Sequence, residues 1–372
     1  MIRQATQYEK YQKNRKMKTF LKMAIICAVL IQIAVIGGIF VANSFIRPPD
    51  IPLAETIPVH APIRVTSNPV PAIAPVTEPE EFTGFDSYIV PLVDEYTERK
   101  PMFFTFLIFG LTEGLNANTI MVAAYDADSG RGYVISIPRD TRVDAQRNNR
   151  KIVAAYNVGR RNGGGHEGGV ERLKYEVQTL LGFRPDYYVS IDYEAFIRVV
   201  DAVGGVEVYV PFHMLYDDPY QDLHIDIKPG LQTLDGEDAL RFARYRRGND
   251  PRQNITDYQR IEHQHQIISS IFQALLTPRT ILRIPEFFNI FNNHLATDLS
   301  YGELMWFANQ GRSIITSADS DSLQFHTIPM LGTSGAPHWY ELADEAGIIE
   351  LVNRTVNPFK RDITAADLRI VR

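Results

Sequence analysis

An uncharged apolar run sets the strongest constraint on what this chain can fold into. Residues 23–46 contain no Asp, Glu, Lys or Arg and are rich in Ile, Val and Ala. At a rise of about 1.5 Å per residue, a helix of this length spans the roughly 30 Å hydrocarbon core of a bilayer. The run is long for a cleaved signal peptide, and VANSF near its end is a poor cleavage site. We therefore predict an uncleaved transmembrane anchor.

The charges on either side of this run predict its orientation. Residues 1–22 carry seven Lys or Arg and one acidic residue, whereas the whole chain has a net charge of -6. The positive-inside rule then places residues 1–22 as a cytoplasmic tail and the chain after Arg47 outside, which predicts a single-pass protein of the cell membrane. The chain after residue 22 has a net charge of -12, which argues against nucleic-acid binding. The only cysteine, Cys27, lies in the run, which excludes an internal disulfide and a Cys-rich zinc site.

A linker is predicted between the anchor and the folded domain. Residues 47–81 contain nine prolines, and proline favours extended, semi-rigid chain. Residues 82–372 then form an extracytoplasmic domain held near the bilayer. Its partners are expected to be the membrane and substrates linked to lipid or to the cell wall.

The folded domain is predicted to alternate strands and helices. Strands are expected at 103–111, 119–126, 132–138, 186–192, 206–211 and 223–227, with the second and third forming a hairpin or lying side by side. Helices are expected at 169–182, 193–203, 236–244, 257–276, 280–294, 301–315 and 341–354. This interleaving predicts an α/β fold: a single helix–sheet–helix sandwich with a mixed central sheet.

The sequence lacks the motifs of a phosphate-binding loop and of a metal site. The glycine-rich segment 163–169 does not end in the Lys-Ser/Thr of a phosphate-binding loop, so we interpret it as a flexible loop. His263 and His265 are two residues apart and should face different sides of their helix. No metal-ligand pattern stands out in the sequence, and no metal-binding residue is predicted from it.

Arginine is the unusual signal. One group begins with Arg139, in SIPRDT at the end of a predicted strand, and continues with Arg142. A second group occupies residues 239–260, which hold six arginines and two acidic residues. The planar guanidinium donates paired hydrogen bonds to phosphate and stays charged at any relevant pH. A solvated charged face is the alternative, but ligands of open α/β sheets bind at the carboxyl ends of strands, where Arg139 lies.

A polar face is predicted at the start of the helix over 257–276. Asp257, Arg260 and Gln264 fall on one side of that helix. A capping aspartate with a salt-bridged arginine is the simpler explanation of this trio, and the trio by itself favours it. As part of a ligand site, Gln264 and Arg142 would be substrate-binding residues.

The order of motifs resembles the LytR-CpsA-Psr family over about residues 100–280. The matching segments are LIFGL, NTIMVAAYD, VISIPRDTRV, PDYYVSIDYEAFIRVVDAVGGVEVYVP, LHIDIKPGLQTLDGEDALRFARYR and DYQRIEHQHQ. The resemblance implies a cell-wall phosphotransferase that moves a phosphoglycan from a polyprenyl-pyrophosphate carrier to a peptidoglycan hydroxyl. The lipid tail would lie in an apolar tunnel between sheet and helices.

The resemblance also implies roles for individual residues. Arg139 and Arg260 would act in catalysis and, with Arg244 and Arg246, would grip the pyrophosphate. Asp257 would orient Arg260 or help to activate the incoming hydroxyl. These assignments follow the motifs SIPRDT, RFARYR and DYQR.

Two positions depart from the family pattern. The family commonly uses Mg²⁺ held by two aspartates, and the matching residues here are Thr112 and Asn118. Neutral oxygens should bind Mg²⁺ much less well. A further arginine of the family corresponds to His263. The alternative function is therefore a catalytically weak scaffold that binds polyprenyl phosphate during wall assembly.

Overall fold

The chain divides into two compact units. One comprises Met1–Asp50 with Leu299–Gln310, and the other comprises Ile51–Asp298 with Gly311–Arg372. The computed structural model describes residues 48–49, 98–112, 115–220, 223–275, 287, 289–290, 293–316, 322–335 and 339–371. All of the strands in these ranges belong to the second unit.

A six-stranded mixed sheet forms the centre of the second unit. In chain order its strands are β1 (Phe103–Leu111), β2 (Ala117–Asp126), β3 (Arg131–Ser136), β4 (Tyr187–Ile191), β9 (Leu295–Thr297) and β10 (Leu323–Thr327). Their spatial order is β10-β3-β2-β1-β4-β9. Neighbours β1–β4 and β3–β10 are parallel, whereas β1–β2, β2–β3 and β4–β9 are antiparallel. The predicted mixed sheet is confirmed, and β2–β3 is the predicted hairpin.

Six further strands form three two-stranded sheets. They are β5 (Val206–Val210), β6 (Met214–Asp218), β7 (Leu223–Ile227), β8 (Gly230–Leu234), β11 (Met330–Thr333) and β12 (Glu341–Ala343). Strand β5 pairs with β8, β6 with β7, and β11 with β12. The first two pairs pack around a hydrophobic cluster of their own, with Phe242 and Tyr245 fully buried in it.

Side-chain caps mark the first turns of several of the helices in the described ranges. The helices are α1 (Ala155–Gly159), α2 (Gly165–Leu181), α3 (Tyr193–Val203), α4 (Gly236–Arg244), α5 (Asp257–Leu275), α6 (Tyr301–Thr316) and α7 (Glu345–Arg354). Asp192 and Asp235 accept hydrogen bonds from backbone N–H groups in the first turns of α3 and α4. Ser300 and Glu303 form a reciprocal capping box at the start of α6.

Helices cover both faces of the sheet in the second unit. Helices α2 and α7 pack on one face, where Leu107, Phe109 and Leu173 are completely buried in one cluster. On the other face, His265 of α5 lies 2.8 Å from the hydroxyl of Ser136 at the end of β3. Gln264 donates to the Thr119 hydroxyl of β2 at 3.2 Å. These contacts give the predicted helix–sheet–helix layering within this unit.

The glycine-rich segment was predicted to be a flexible loop, and that prediction is wrong for residues 165–169. They form the first turn and more of α2. A Cβ on Gly169 would lie 2.7 Å from the Tyr156 ring, and one on Gly168 would lie 2.9 Å from the carbonyl oxygen of Gly159. Glycine is therefore required because α1 and α2 approach so closely that no side chain fits.

Two other predictions concern helix bounds. The helix predicted over 341–354 begins at Glu345, because residues 341–343 pair as β12 instead. Within the helix predicted at 280–294, the described residues 287, 289–290 and 293–294 are helical.

The anchor predicted at 23–46 and the tail at 1–22 lie outside the described residues, as does the linker except for Pro48 and Pro49. Among the residues that the structure does describe, no helix has both the length and the apolar character needed to cross a bilayer.

Candidate functional site

The site is built first from the loop that follows β3. The Thr141 hydroxyl and N–H both contact the carbonyl oxygen of Pro138, at 2.6 and 3.0 Å, which closes a tight turn around Arg139. The backbone N–H of Val153 then donates to the carbonyl oxygen of Arg139 at 3.1 Å. These bonds fix Arg139 just past the carboxyl end of a central strand, as the sequence predicts.

The first turn of α5 supplies the facing residues. Arg260 Nη2 lies 2.7 Å from Asp257 Oδ1, and Arg139 Nε lies 3.7 Å from the same oxygen. The three side chains are only 9–19 % exposed. One buried carboxylate thus stands between two guanidinium groups from separate parts of the chain.

Arg246 adds a third guanidinium. Burial lowers the pKa of Arg260 most, the charges of Arg139 and Arg246 lower it further, and Asp257 and Asp140 raise it. Arginine nevertheless remains charged. We call Arg139, Arg246, Asp257 and Arg260 the arginine–aspartate cluster.

The cluster leaves buried polar atoms without hydrogen bonds inside the described part of the protein. These atoms are the Nε atoms of Arg139 and Arg260 and both carboxylate oxygens of Asp257. Arg260 and Asp257 are close enough for an ion pair, but their orientation is not that of a hydrogen bond. Because unpaired buried donors cost free energy, an oxygen-rich anion is the ligand that would stabilise these guanidinium groups.

The remaining predicted residues lie elsewhere around this region. The Arg244 guanidinium lies 4.6 Å from the centre of the Tyr193 ring, and that of Arg142 lies 5.7 Å from the centre of the Tyr340 ring. Gln264 bonds Thr119, as described above. The structure therefore brings Arg139, Arg246, Asp257 and Arg260 together, and roles for Arg142, Arg244 and Gln264 in binding stay predictions.

A protein-family model matches most of this chain and shows which family it belongs to. The LytR_cpsA_psr family model matches residues 93–355, well over half of the chain. The chain belongs to the LytR-CpsA-Psr family. Its match extends beyond the motifs at about 100–280 and takes in the segment that contributes β11 and β12.

Two curated LytR-CpsA-Psr proteins are similar to this chain in sequence. The polyisoprenyl-teichoic acid–peptidoglycan teichoic acid transferase TagV of Bacillus subtilis (strain 168) is 29% identical over 223 residues, 57% of this chain and 54% of TagV. TagU of the same strain, a transferase with the same description, is 27% identical over 252 residues, 67% of this chain and 75% of TagU. The chain thus matches only about half of the length of TagV.

A solved LytR-CpsA-Psr structure shares the fold. The crystal structure of B. subtilis TagV matches with a TM-score of 0.54 at 23% identity, over 68% of this chain and 95% of that chain. The mixed α/β architecture with a mixed central sheet is therefore the one found in this family.

The donor set at the positions of the family's metal ligands does not fit Mg²⁺. Thr112 follows β1, and Asn118 is the second residue of β2; both offer neutral oxygens. Magnesium prefers anionic oxygens, so we derive no step through a metal at these positions.

Sequence reasoning missed three groups beside the cluster. Asp140 is ion-paired with Lys151 at 3.0 Å, and Tyr258 lies 3.5 Å from Glu341. Glu341 had no signal in the sequence, because it belongs to no motif and was placed in a helix. Asp140 lies in the SIPRDT motif directly after Arg139, and Tyr258 lies in the DYQR motif directly after Asp257.

The two histidines of α5 predict how stability depends on pH. His263 stacks on Phe242 with ring centres 4.3 Å apart, and His265 lies beside Ser136, so they do face different sides. Burial lowers the pKa of each to about 4. In the unfolded chain these histidines bind protons near pH 6.5, so stability should fall as the pH drops from 6.5 towards 4.

We expect urea unfolding to report this loss. The free energy of unfolding should be lower at pH 5 than at pH 7, and in His263→Leu the decrease should be smaller by about 1–2 kcal/mol. Leucine keeps the apolar contact with Phe242 while removing one titration. The same decrease in both proteins would count against a neutral, buried His263.

Proposed function

We propose that this protein is a membrane-anchored phosphotransferase that moves a phosphoglycan from a polyprenyl-pyrophosphate carrier to a peptidoglycan hydroxyl. The observation that carries this proposal is the arginine–aspartate cluster. The curated relatives TagV and TagU are named for transfer of teichoic acid from a polyisoprenyl carrier to peptidoglycan, which supports the same class of reaction here.

The cluster suits phosphoryl transfer on physical grounds. Such reactions need little covalent work from the protein, but the negative charge spread over the transferred group must be stabilised. Arg139 and Arg260 converge on one buried carboxylate, and their Nε atoms make no hydrogen bond within the described protein. Fixed guanidinium groups in a poorly hydrated site stabilise developing charge more than the same groups in water.

The sheet face beneath α5 supports a lipid-linked substrate. On this face Phe104, Met121 and Val134 are buried, whereas several other apolar side chains are only half-buried. They are Phe106, Ile108, Ala123, Val189, Ile191 and Phe325. Apolar surface of this kind next to an anion site matches a molecule with a pyrophosphate head and a hydrocarbon tail.

The charge pattern of the sequence supports the location. With residues 1–22 as a basic cytoplasmic tail and 23–46 as the anchor, the domain from residue 82 would work outside the membrane. There it would meet both the lipid carrier and the wall.

A transfer assay tests the proposal. We expect the full-length chain in phospholipid vesicles to move radiolabelled phosphosugar from a polyprenyl-pyrophosphate-linked N-acetylglucosamine probe onto isolated peptidoglycan. Chelator should leave this activity largely intact, because the donor set near β1 and β2 does not fit Mg²⁺. Label that never reaches the peptidoglycan, with fresh protein and with or without Mg²⁺, would contradict the proposal.

A second candidate function follows from Thr112 and Asn118. If transfer in this family depends on the carboxylates absent at these positions, the protein is a scaffold that holds polyprenyl phosphate for other wall-assembly proteins. This candidate predicts that polyprenyl lipid co-purifies with the protein. It also predicts that no label is transferred to peptidoglycan, with or without Mg²⁺.

A further inference from the structure

A carboxylate from outside the recognised motifs lies beside the loop that carries Arg139. The N–H of Glu341 donates to the carbonyl oxygen of Asp140, and the Glu341 carbonyl accepts from the N–H of Arg142, both at 2.9 Å. Thr141 and Glu341 form a parallel β-bridge. The backbone of Glu341 is therefore fixed alongside the same loop that positions Arg139.

The side chain of Glu341 is directed towards α5. Its Oε2 lies 3.5 Å from the Tyr258 hydroxyl, and Tyr258 directly follows Asp257. Burial raises the pKa of Glu341, and the nearby charges of Asp257 and Asp140 raise it further, while the Tyr258 contact lowers it. Burial and Glu341 together raise the pKa of Tyr258 to about 12, so the phenol stays protonated and can donate.

The three carboxylates around the cluster differ in their pairing. Asp140 lies 3.0 Å from Lys151, and Asp257 lies 2.7 Å from Arg260. Within the described chain, Glu341 has no Lys, Arg or His nitrogen within 4.0 Å. Glu341 is the one of these three carboxylates that can take up a proton without breaking an ion pair. Carboxylates whose environments differ in this way divide into separate roles in acid–base chemistry.

We propose that Glu341 is the general base of the transfer reaction, an inference that rests on the proposed function. The acceptor hydroxyl gives its proton to Glu341 as its oxygen forms a bond to the phosphorus of the bound glycan phosphate. The bond from that phosphorus to the bridging oxygen breaks, and its electron pair leaves with polyprenyl monophosphate. Tyr258 is a positioning residue that holds the Glu341 carboxylate towards the cluster.

The test is a pH profile of transfer by the full-length chain in vesicles, with the N-acetylglucosamine probe and peptidoglycan described above. In the wild type, kcat should rise with pH as Glu341 ionises, because only the carboxylate accepts a proton. Glu341→Gln should lower kcat about 10²-fold and remove this rise, with KM changed by less than about twofold. Glu341→Asp should keep a weaker rise. Glu350→Gln, at an exposed position of α7, is the matched control and should keep the wild-type profile.

A second variant keeps the proposal testable if Glu341→Gln fails to fold. Tyr258→Phe removes the contact that lowers the pKa of Glu341, so the rise of kcat should move to higher pH. A rise that stays in place in Tyr258→Phe, or a wild-type profile in Glu341→Gln, would overturn the role of Glu341 and leave the proposed function standing. Absence of transfer by the wild type would overturn both.

Discussion

Replacing Arg260 by alanine is expected to slow transfer by about 10³-fold, a loss typical of an arginine that stabilises a transferred phosphoryl group. Arg260 lies at the centre of the arginine–aspartate cluster: its Nη2 is 2.7 Å from Asp257, and Arg139 approaches the same carboxylate from the loop after β3. The variant loses the most buried guanidinium of the site. The measurement is the initial rate of transfer at saturating probe.

Companion variants separate charge from geometry. Arg260→Lys keeps the charge but loses the planar fork, so its rate should fall between wild type and alanine. Arg139→Ala should cost less, about 10²-fold, because Arg139 stands farther from Asp257 and is more exposed. Arg252→Ala is the control: Arg252 belongs to the same arginine-rich segment but is 89% exposed and pairs with Asp250. Equal rates in the Arg260 and Arg252 variants would exclude the cluster as the reaction site.

Glu176→Ala is expected to produce the largest loss of stability, about 3–5 kcal/mol in the free energy of unfolding. The Glu176 side chain on α2 is completely buried and pairs with both Arg147 and Arg172. Arg147 also donates to the carbonyl oxygen of Lys151 at 2.8 Å. Without the carboxylate, the buried Arg147 charge has lost its partner, and the loop that holds Arg139 has lost its link to α2.

Urea unfolding at pH 7 measures this effect against an exposed pair. Glu194→Ala breaks an i,i+4 pair with Arg198 on α3, where both side chains are at least half-exposed. Its cost should stay within about 0.5 kcal/mol. Similar losses in the two variants would show that burial of Glu176 does not determine its contribution.

Much of the fold could be predicted from local patterns. The continuous apolar run of β1, the helical spacing of residues 169–182 and the turn between β2 and β3 are all local signals, and the elements follow them. The glycine-rich start of α2 was predicted to be a flexible loop. Its glycines are there instead because α1 packs too closely for larger side chains. Pairing of β12 with β11 likewise depends on distant residues, so residues 341–343 were assigned to a helix.

Some residues of the candidate site could likewise be predicted from local sequence, whereas others depend on tertiary contacts. Arg139 could be placed because a strand end is visible in the sequence, and Asp257 and Arg260 could be placed together because they are three apart on one helix. That Arg139 meets Asp257 is a tertiary fact that only the motif order suggested. Glu341 could not be found, because its approach to the loop after β3 depends on backbone hydrogen bonds to Asp140 and Arg142.

Guanidinium groups from two distant segments are proposed to hold the phosphate end of a polyprenyl carrier. Mass spectrometry of lipids extracted from the detergent-purified full-length protein tests this proposal most directly. We predict polyprenyl phosphate or pyrophosphate in the wild type and in Arg252→Ala, and its loss from the double variant Arg139→Ala/Arg260→Ala. Wild-type protein free of polyprenyl lipid, or a double variant that retains as much as wild type, would contradict the account.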